Sequence, residues 1–328
     1  MRASQGRGRG VFAEAPLAAG TVLIRALPYA LVPNDACQFT HCAVCLQCTG
    51  RSRCASCGAA VLCARCAADR GARRVHADEC AALHRLAAAP PAERPADSRS
   101  LRLLMRLLLA RWREAHGGEQ YVGDGDDWWG SGDVAADEFE DVCSLTSPLD
   151  SDAPLGGGVE LPEGSHLGRS GGALALEDAL LEMAKQARWF LDAHTRVAHE
   201  LAALLMGQLC SNSLTLYAPD GAPGGGGGET GVAVSASVAM LNHSCDPSAD
   251  WAVDADGCLV VTAIAPIAAG DEIFISYVDP RLPSATRRRK LRENFFFECD
   301  CTACREGVVA AAWCPKAKRR RANPELPK

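Results

Sequence analysis

Cysteine and histidine recur in this chain at spacings suited to soft-metal coordination. Cys42-x2-Cys45, Cys54-x2-Cys57, Cys63-x2-Cys66 and His76-x3-Cys80 supply eight soft ligands in four pairs, the number that two tetrahedral Zn²⁺ sites need. Farther on, Cys299, Cys301 and Cys304 form a Cys-x-Cys-x2-Cys cluster one ligand short of a closed site, and the isolated Cys245 is the natural fourth donor. Three zinc ions are the economical reading. Cys143, Cys210, Cys258 and Cys314 are left over and read as ordinary thiols. Cys245 also ends Asn242-His243-Ser244-Cys245, which puts an amide, an imidazole and a thiol into four positions where propensity alone calls for a polar turn before Asp246-Pro247. Arg7-Gly8-Arg9-Gly10 is a further candidate, since glycines let a backbone approach a ligand closely; on its own it reads first as a surface turn.

Such groups need a core to hold them. With 328 residues and 48% hydrophobic content, the chain has material for two domains or one large one. Seventeen cysteines would suggest disulfides in a secreted protein. The count is odd, however, and the first eight residues carry no apolar signal core, so zinc in a reducing compartment fits better. No apolar run approaches the ~20 residues of a membrane span; the best candidate, residues 101–110, carries Arg102 and Arg106. A net charge of -6 argues against general nucleic-acid binding, with basic ends and an acidic middle.

Short strands are expected around residues 21–25, 30–32 and 232–234. Pro16-Leu17-Ala18-Ala19-Gly20-Thr21 recurs almost verbatim as Pro266-Ile267-Ala268-Ala269-Gly270-Asp271, which predicts two similar hairpin corners in one β-rich core. Residues 42–80 contain few large apolar side chains and would draw their folding free energy from metal. An Ala/Pro-rich connection, 87–96, follows. Ser98 or Ser100 can cap a helix with leucines at 101, 103, 104, 107, 108 and 109 and with Arg106, Arg111 and Arg113 near its end. Between Glu114 and His166 there is no Lys or Arg, and Asp, Glu, Gly and Ser abound, so this stretch reads as a solvated, largely disordered loop. Residues 174–209 read as one or two helices that bury Leu180 and Leu205 among others, and residues 223–228 as a flexible linker. The basic stretch at 316–321 reads equally as a nuclear-import signal or an ordinary charged terminus.

Asn242-His243-Ser244-Cys245-Asp246-Pro247, then Glu272-Ile273-Phe274-Ile275-Ser276-Tyr277, then Phe297-Glu298-Cys299-Asp300-Cys301 with Cys304, resembles in order and spacing the C-terminal half of a SET-domain lysine methyltransferase. With a cysteine-rich segment interrupting its N-terminal half, the chain is most similar to the SET-and-MYND subfamily, the likeness covering residues 5–90 and 200–305. This resemblance implies an α+β fold. A SET N-terminal part (1–41) would be split from its catalytic core (211–298) by a MYND-like zinc finger (42–80) and a helical insert (81–210, with the acidic loop at about 114–168). A post-SET zinc cluster (299–310) and a basic tail (311–328) would follow. It also implies interleaved finger sites: Cys42, Cys45, Cys63 and Cys66 around one ion, Cys54, Cys57, His76 and Cys80 around the other. The third pair is spaced by two residues where the family usually has three, and Cys37 and Cys48 are alternative ligands.

The activity implied is S-adenosylmethionine-dependent transfer of a methyl group to a protein lysine. By resemblance, Arg7, Gly8, Arg9 and Gly10 cradle the cofactor, Asn242, His243 and Asn212 hold it, Phe297 packs on its adenine, and Tyr277 is the catalytic tyrosine beside the transferring methyl. One departure is Ser235-Ala236, where the family often has a Tyr-Pro pair lining the lysine channel. The alternative is a catalytically silent SET fold acting as a zinc-finger interaction module in transcriptional regulation. The partners implied are a protein presenting a lysine, a histone tail or another protein, and a proline-rich or other peptide for the finger. No direct nucleic-acid or membrane contact is expected, in a nuclear and/or cytoplasmic protein.

Overall fold

A computed structural model of the chain describes residues 2–4, 7–47, 51–90, 98–116, 134–145, 147, 176–192, 197–217, 228–254 and 256–307. The N-terminal part contains β1 (Arg2–Ser4), β2 (Gly8–Gly10), β3 (Val22–Leu27) and β4 (Ala30–Pro33). The cysteine-rich stretch forms β5 (Arg51–Arg53), β6 (Val61–Cys63), α1 (Ala64–Ala68) and α2 (Arg70–Ala88). Next come α3 (Ser98–Ala115), β7 (Ala135–Ala136), α4 (Phe139–Cys143), α5 (Leu176–Phe190) and α6 (His199–Asn212). The C-terminal part holds β8 (Leu214–Tyr217), β9 (Glu229–Val234), α7 (Ala236–Ala239), β10 (Asn242–His243), β11 (Ala249–Val253), β12 (Leu259–Ala263), β13 (Phe274–Ile275), α8 (Ser284–Phe295) and α9 (Thr302–Arg305). No helix among the described residues is long and apolar enough to cross a membrane.

The middle layer is the antiparallel sheet β4-β9-β8. Successive side chains of a strand point to opposite faces, and here both faces are buried. Ala30, Val32, Val232 and Val234 enter a core built from α3, α5 and α6. Leu31, Ala233, Leu214 and Leu216 enter a second core shared with the sheet β11-β12-β3-β7. That is why these strands read as unbroken apolar runs.

The repeated hexapeptide forms two corners that bind each other. Leu17 and Ile267 exchange both backbone hydrogen bonds at 2.9 Å. About this pair the contacts repeat as about a dyad: Gly20 N–H to Ala263 O and Gly270 N–H to Ala13 O, both 2.8 Å. Each corner turns at a glycine with positive φ, +91° at Gly20 and +89° at Gly270, a conformation other residues adopt only at a cost.

Helix α3 is buried almost all round, through Leu101, Leu103, Leu104, Met105, Leu107, Leu108 and Leu109. Its arginines are interior too: Arg102 donates to Pro33 O (2.7 Å) and Asp35 Oδ1 (2.8 Å), Arg106 pairs with Glu79, and Arg113 pairs with Asp78 (2.7 Å). The expectation of arginines placed for the helix dipole therefore gives way to an internal basic stripe matched by acids of α2 and of the turn after β4. The helix carrying His76 and Cys80 does not stop at residue 80. It continues to Ala88 because Ala82 and Leu86 pack into the same core as α3.

The disordered-loop reading fails for residues 134–145 and 147. Ala135 and Ala136 pair in parallel with Ala26 and Leu27 of β3, and Val142 and Leu145 are buried in the helical core. Asp137, 3% exposed, accepts from Ser235 Oγ (2.7 Å), Ser237 N (2.9 Å) and Ser237 Oγ. An acid that composition assigns to solvent thus anchors the turn into α7. Residues 114 and 115 close α3, while the remainder of that loop beyond residue 116, Cys48, most of the 223–228 linker and the basic tail lie outside the described residues.

Candidate active site and metal centres

The finger's cysteines gather on tight turns and on one helix face. The turn after Cys42 gives Val44 N–H to Cys42 Sγ (3.5 Å), and that after Cys57 gives Ala59 N–H to Cys57 Sγ (3.4 Å). Cys63 caps α1 and accepts from Cys66 N (3.4 Å). His76 and Cys80 stand one turn apart on α2, which directs both to the same side. The results are two quartets, Cys42/Cys45/Cys63/Cys66 and Cys54/Cys57/His76/Cys80, with ligand atoms within 4.8 Å of one another. Tetrahedral zinc with Zn–S near ~2.3 Å requires sulfurs ~3.8 Å apart; Cys45–Cys63 is 3.7 Å and Cys54–Cys80 is 3.8 Å. Cys37 stands outside, its thiol donating to Glu229 O at 3.6 Å.

Crowding these thiols splits their acidities. Hydrogen bonding from Cys42 and Cys66 brings Cys45 down to about 5, whereas neighbouring Cys42 and Cys45 push Cys66 strongly up. Four thiolates cannot share so small a volume without a cation, and a divalent metal removes the conflict. Behind His76 lies Glu79, its Oε1 3.5 Å from Nδ1, so the imidazole has a carboxylate on the side away from the cluster, the arrangement that fixes a metal-bound histidine.

The third quartet, Cys245/Cys299/Cys301/Cys304, is fully buried with the same compactness. Helix α8 delivers it: after Phe295 the chain turns through Phe296 in the left-handed region (φ 60°) and enters Phe297 and the cysteines. Arg287 of α8, 0% exposed, donates to Leu282 O (2.5 Å) and brings Nη2 to 4.0 Å from Cys304 Sγ. A guanidinium beside four thiols offsets the excess negative charge that a zinc tetrathiolate carries. The three quartets are compatible with three zinc ions.

Beside this quartet, the parallel pairing of β10 with β13 sets Asn242 opposite Phe274 and His243 opposite Ile275. His243 Nδ1 accepts from Tyr277 N (3.0 Å), so the proton of the neutral ring sits on Nε2, 3.3 Å from Cys245 Sγ. Burial brings this imidazole down to about 4, which keeps it neutral at physiological pH. The half-buried Tyr277 donates its hydroxyl to Leu241 O (2.7 Å), and burial, with Glu272 nearby, pushes its pKa up. The aromatic rings cluster: His243 lies 5.2 Å from Tyr277 and 5.9 Å from Phe297, and Tyr277 lies 4.9 Å from Phe295.

Gly8–Gly10, which form strand β2 against β1 rather than a surface turn, come to the same place. Asn242 Nδ2 donates to Arg9 O (2.8 Å) and to Glu272 Oε1 (2.7 Å). Arg7 lies over the Phe274 ring (5.3 Å) and pairs with Asp300 (3.3 Å), and Arg9 donates to Ser144 O. The two glycines differ. Gly8 has φ +74° with open space around it, whereas a Cβ at Gly10 would collide with Glu272 Oε1. Asn212 stands apart on the last turn of α6, its amide donating to Gln208 O (2.7 Å), and α6 packs on α8. The contacts of Glu272, Glu79 and Arg287 are not legible in the sequence. Glu272 stands in the motif that ends at Tyr277 and Glu79 lies three residues from His76 on one helix, whereas nothing local marks Arg287.

A two-cluster cysteine finger set into a β core, with a third cysteine quartet closing beside an Asn-His pair and a tyrosine, defines one class of fold. The SET domain family model matches residues 8–278, and the chain belongs to that family. Among curated proteins it is similar to histone-lysine N-methyltransferase SMYD3 of Mus musculus, 41% identical over 76 residues, 23% of this chain and 18% of that protein. Similarity to N-lysine methyltransferase SMYD2 of Gallus gallus is 41% over 75 residues, 23% of this chain and 17% of that protein. The matched stretch therefore spans less than a fifth of these curated relatives.

Proposed function

We propose that this chain is an S-adenosylmethionine-dependent protein-lysine N-methyltransferase of the SMYD type. The observation that supports it most is the convergence of Asn242, His243, Tyr277 and strand β2 (Gly8–Gly10) beside a cysteine quartet in a SET fold. The cofactor, when bound, supplies a methyl group on a sulfonium. In the proposed assignment Arg7, Gly8, Arg9 and Gly10 form its cradle, Asn242 and His243 hold its amino-acid end, Phe297 meets its adenine, and Asn212 reaches it from α6. The residues present fit such a ligand, since the Arg9–Asn242 contact leaves Asn242 Oδ1 as an unused acceptor among the described residues.

Tyr277 is proposed as the catalytic residue. Its phenol is held protonated, so it orients the lysine amine as a dipole rather than removing its proton, which leaves through solvent before transfer. The finger ligands are Cys42, Cys45, Cys54, Cys57, Cys63, Cys66, His76 and Cys80, and the post-SET ligands are Cys245, Cys299, Cys301 and Cys304. The substrate is a protein presenting a lysine, on a histone tail or elsewhere, the finger takes a proline-rich or other peptide, and the protein works in the nucleus and/or cytoplasm. Incubating the zinc-loaded protein with labelled S-adenosylmethionine and a cell extract tests this reading. Label on protein lysines is expected, and its absence with intact zinc and cofactor binding would favour a silent SET module.

A further inference from the structure

Both amide hydrogens of Asn242 are committed inward, one to Glu272 Oε1 (2.7 Å) and one to Arg9 O (2.8 Å). Flipping the amide would set Oδ1 against a carboxylate and a carbonyl, neither of which can donate, so the orientation is enforced by charge. Glu272 is fixed in turn, because its Oε2 accepts from Ser4 Oγ of β1 at 2.7 Å. The space for this arrangement exists because residue 10 is glycine: a Cβ there would overlap Glu272 Oε1 and lie 2.9 Å from Asn242 Nδ2. Ser4, Arg9, Gly10, Asn242 and Glu272 come from three distant stretches of sequence and meet at one amide.

We propose that Glu272 is a positioning residue that makes Asn242 selective for a cationic N–H group, the α-ammonium of the cofactor's amino-acid end. This rests on the methyltransferase reading above. With its donors occupied, Asn242 offers a ligand only Oδ1, which accepts nothing among the described residues and is not buried. The Glu272 carboxylate behind the amide polarises it, raising the negative charge on Oδ1. An acceptor so backed favours a positively charged donor over a neutral one.

Calorimetric titration of the full-length, zinc-loaded protein tests the proposal with two ligands: S-adenosylhomocysteine, and its analogue in which hydrogen replaces the α-amino group. Glu272→Ala is expected to weaken S-adenosylhomocysteine by about tenfold, the scale of one charge-assisted hydrogen bond, while the affinity for the desamino analogue stays near the wild-type value. Glu272→Gln keeps an acceptor oxygen for Asn242 but removes the charge. It should show a smaller loss with the same preference, and it serves if the alanine variant does not fold. Equal losses for both ligands would reduce Glu272 to a structural residue, and wild-type affinity for both in either variant would also overturn the proposal. Wild-type protein that binds neither ligand would instead sink the methyltransferase reading beneath it.

Discussion

Glu79 accepts two hydrogen bonds from Arg106, one from Nε at 2.9 Å and one from Nη2, and the two residues are 4% and 7% exposed. Arg106 Nη1 adds bonds to Leu31 O and, at 2.6 Å, to Ala43 O. One guanidinium thus joins the second finger cluster, through Glu79 and His76, to β4 of the SET core. At a second point Asp256 of the β11–β12 turn bridges Arg65 of α1 (3.1 Å) and Arg25 of β3 (2.9 Å). The finger is clamped to the core at two points.

Arg106→Met leaves Glu79 charged and buried without its partner. We expect a loss of about 3–5 kcal/mol, read as a melting temperature lower by roughly 10 °C. The double variant Glu79→Leu, Arg106→Met should recover much of it. A single variant that melts like wild type would show that the pair contributes nothing.

Metal content separates the clusters. Mass spectrometry of the intact protein should count three zinc ions, and both Cys54→Ala and Cys301→Ala should reduce the count to two. Cys301→Ala is expected to abolish S-adenosylhomocysteine binding, since the quartet holds Phe297 and the Asn242–Cys245 turn in place. Cys54→Ala should bind the ligand at low temperature yet melt earlier in a single transition, because the finger is tied to the core. A separate finger transition would contradict the clamp.

Tyr277→Phe removes one hydroxyl that donates to Leu241 O. Cofactor affinity should change little, while methyl transfer to a peptide falls by ~10² or more, the usual scale for a lost positioned group. Near-normal turnover in single-turnover assays would remove Tyr277 from the catalytic role.

Asp137→Ala strands three donors at the start of α7, the side chains of Ser235 and Ser237 and the Ser237 amide. The buried Ser235 hydroxyl left unpaired costs about 1–3 kcal/mol, and the part-buried hydroxyl and amide of Ser237 add smaller losses. Denaturant unfolding should therefore show a loss of several kcal/mol, far above that of an acid in a solvated loop.

Asp35 gives a pH signature. Burial opposes its charge, but hydrogen bonds from Ser98 Oγ (2.6 Å) and Arg102 (2.8 Å) outweigh that, and its pKa lies below the ordinary 3.8. A depressed carboxyl stabilises the fold above its unfolded pKa and stops doing so as pH falls through the folded value. Asp35→Asn should lower the melting temperature at pH 7, with the gap closing below about pH 4. A gap that does not shrink as the pH is lowered below about 4 would assign the effect to something other than this ionisation.

Cysteine spacing announces the clusters because a metal imposes its own periodicity on the sequence, and the apolar runs of β4 and β9 announce a layer buried on both faces. What stays hidden is long-range compensation. Asp137 lies among acids in a glycine-rich stretch, and nothing local distinguishes it from them; its partners, Ser235 and Ser237, stand about a hundred positions away. The arginines of α3 read as a dipole device because the acids that neutralise them belong to α2 and the turn after β4. Glu272 sits in a recognisable motif, yet its partners Ser4 and Asn242 are visible only in three dimensions.

The pairing of Leu17 with Ile267 also sets a timetable for biosynthesis. At ~5–20 residues per second, the first corner leaves the ribosome on the order of ten seconds or more before the second exists. Throughout that interval β3 lacks its neighbour β12, and β4 has yet to meet β9. Contacts this distant in sequence close late and slowly, so no nascent chain ending before the second corner can complete the β core, and its open strand edges are surfaces for a chaperone to cover.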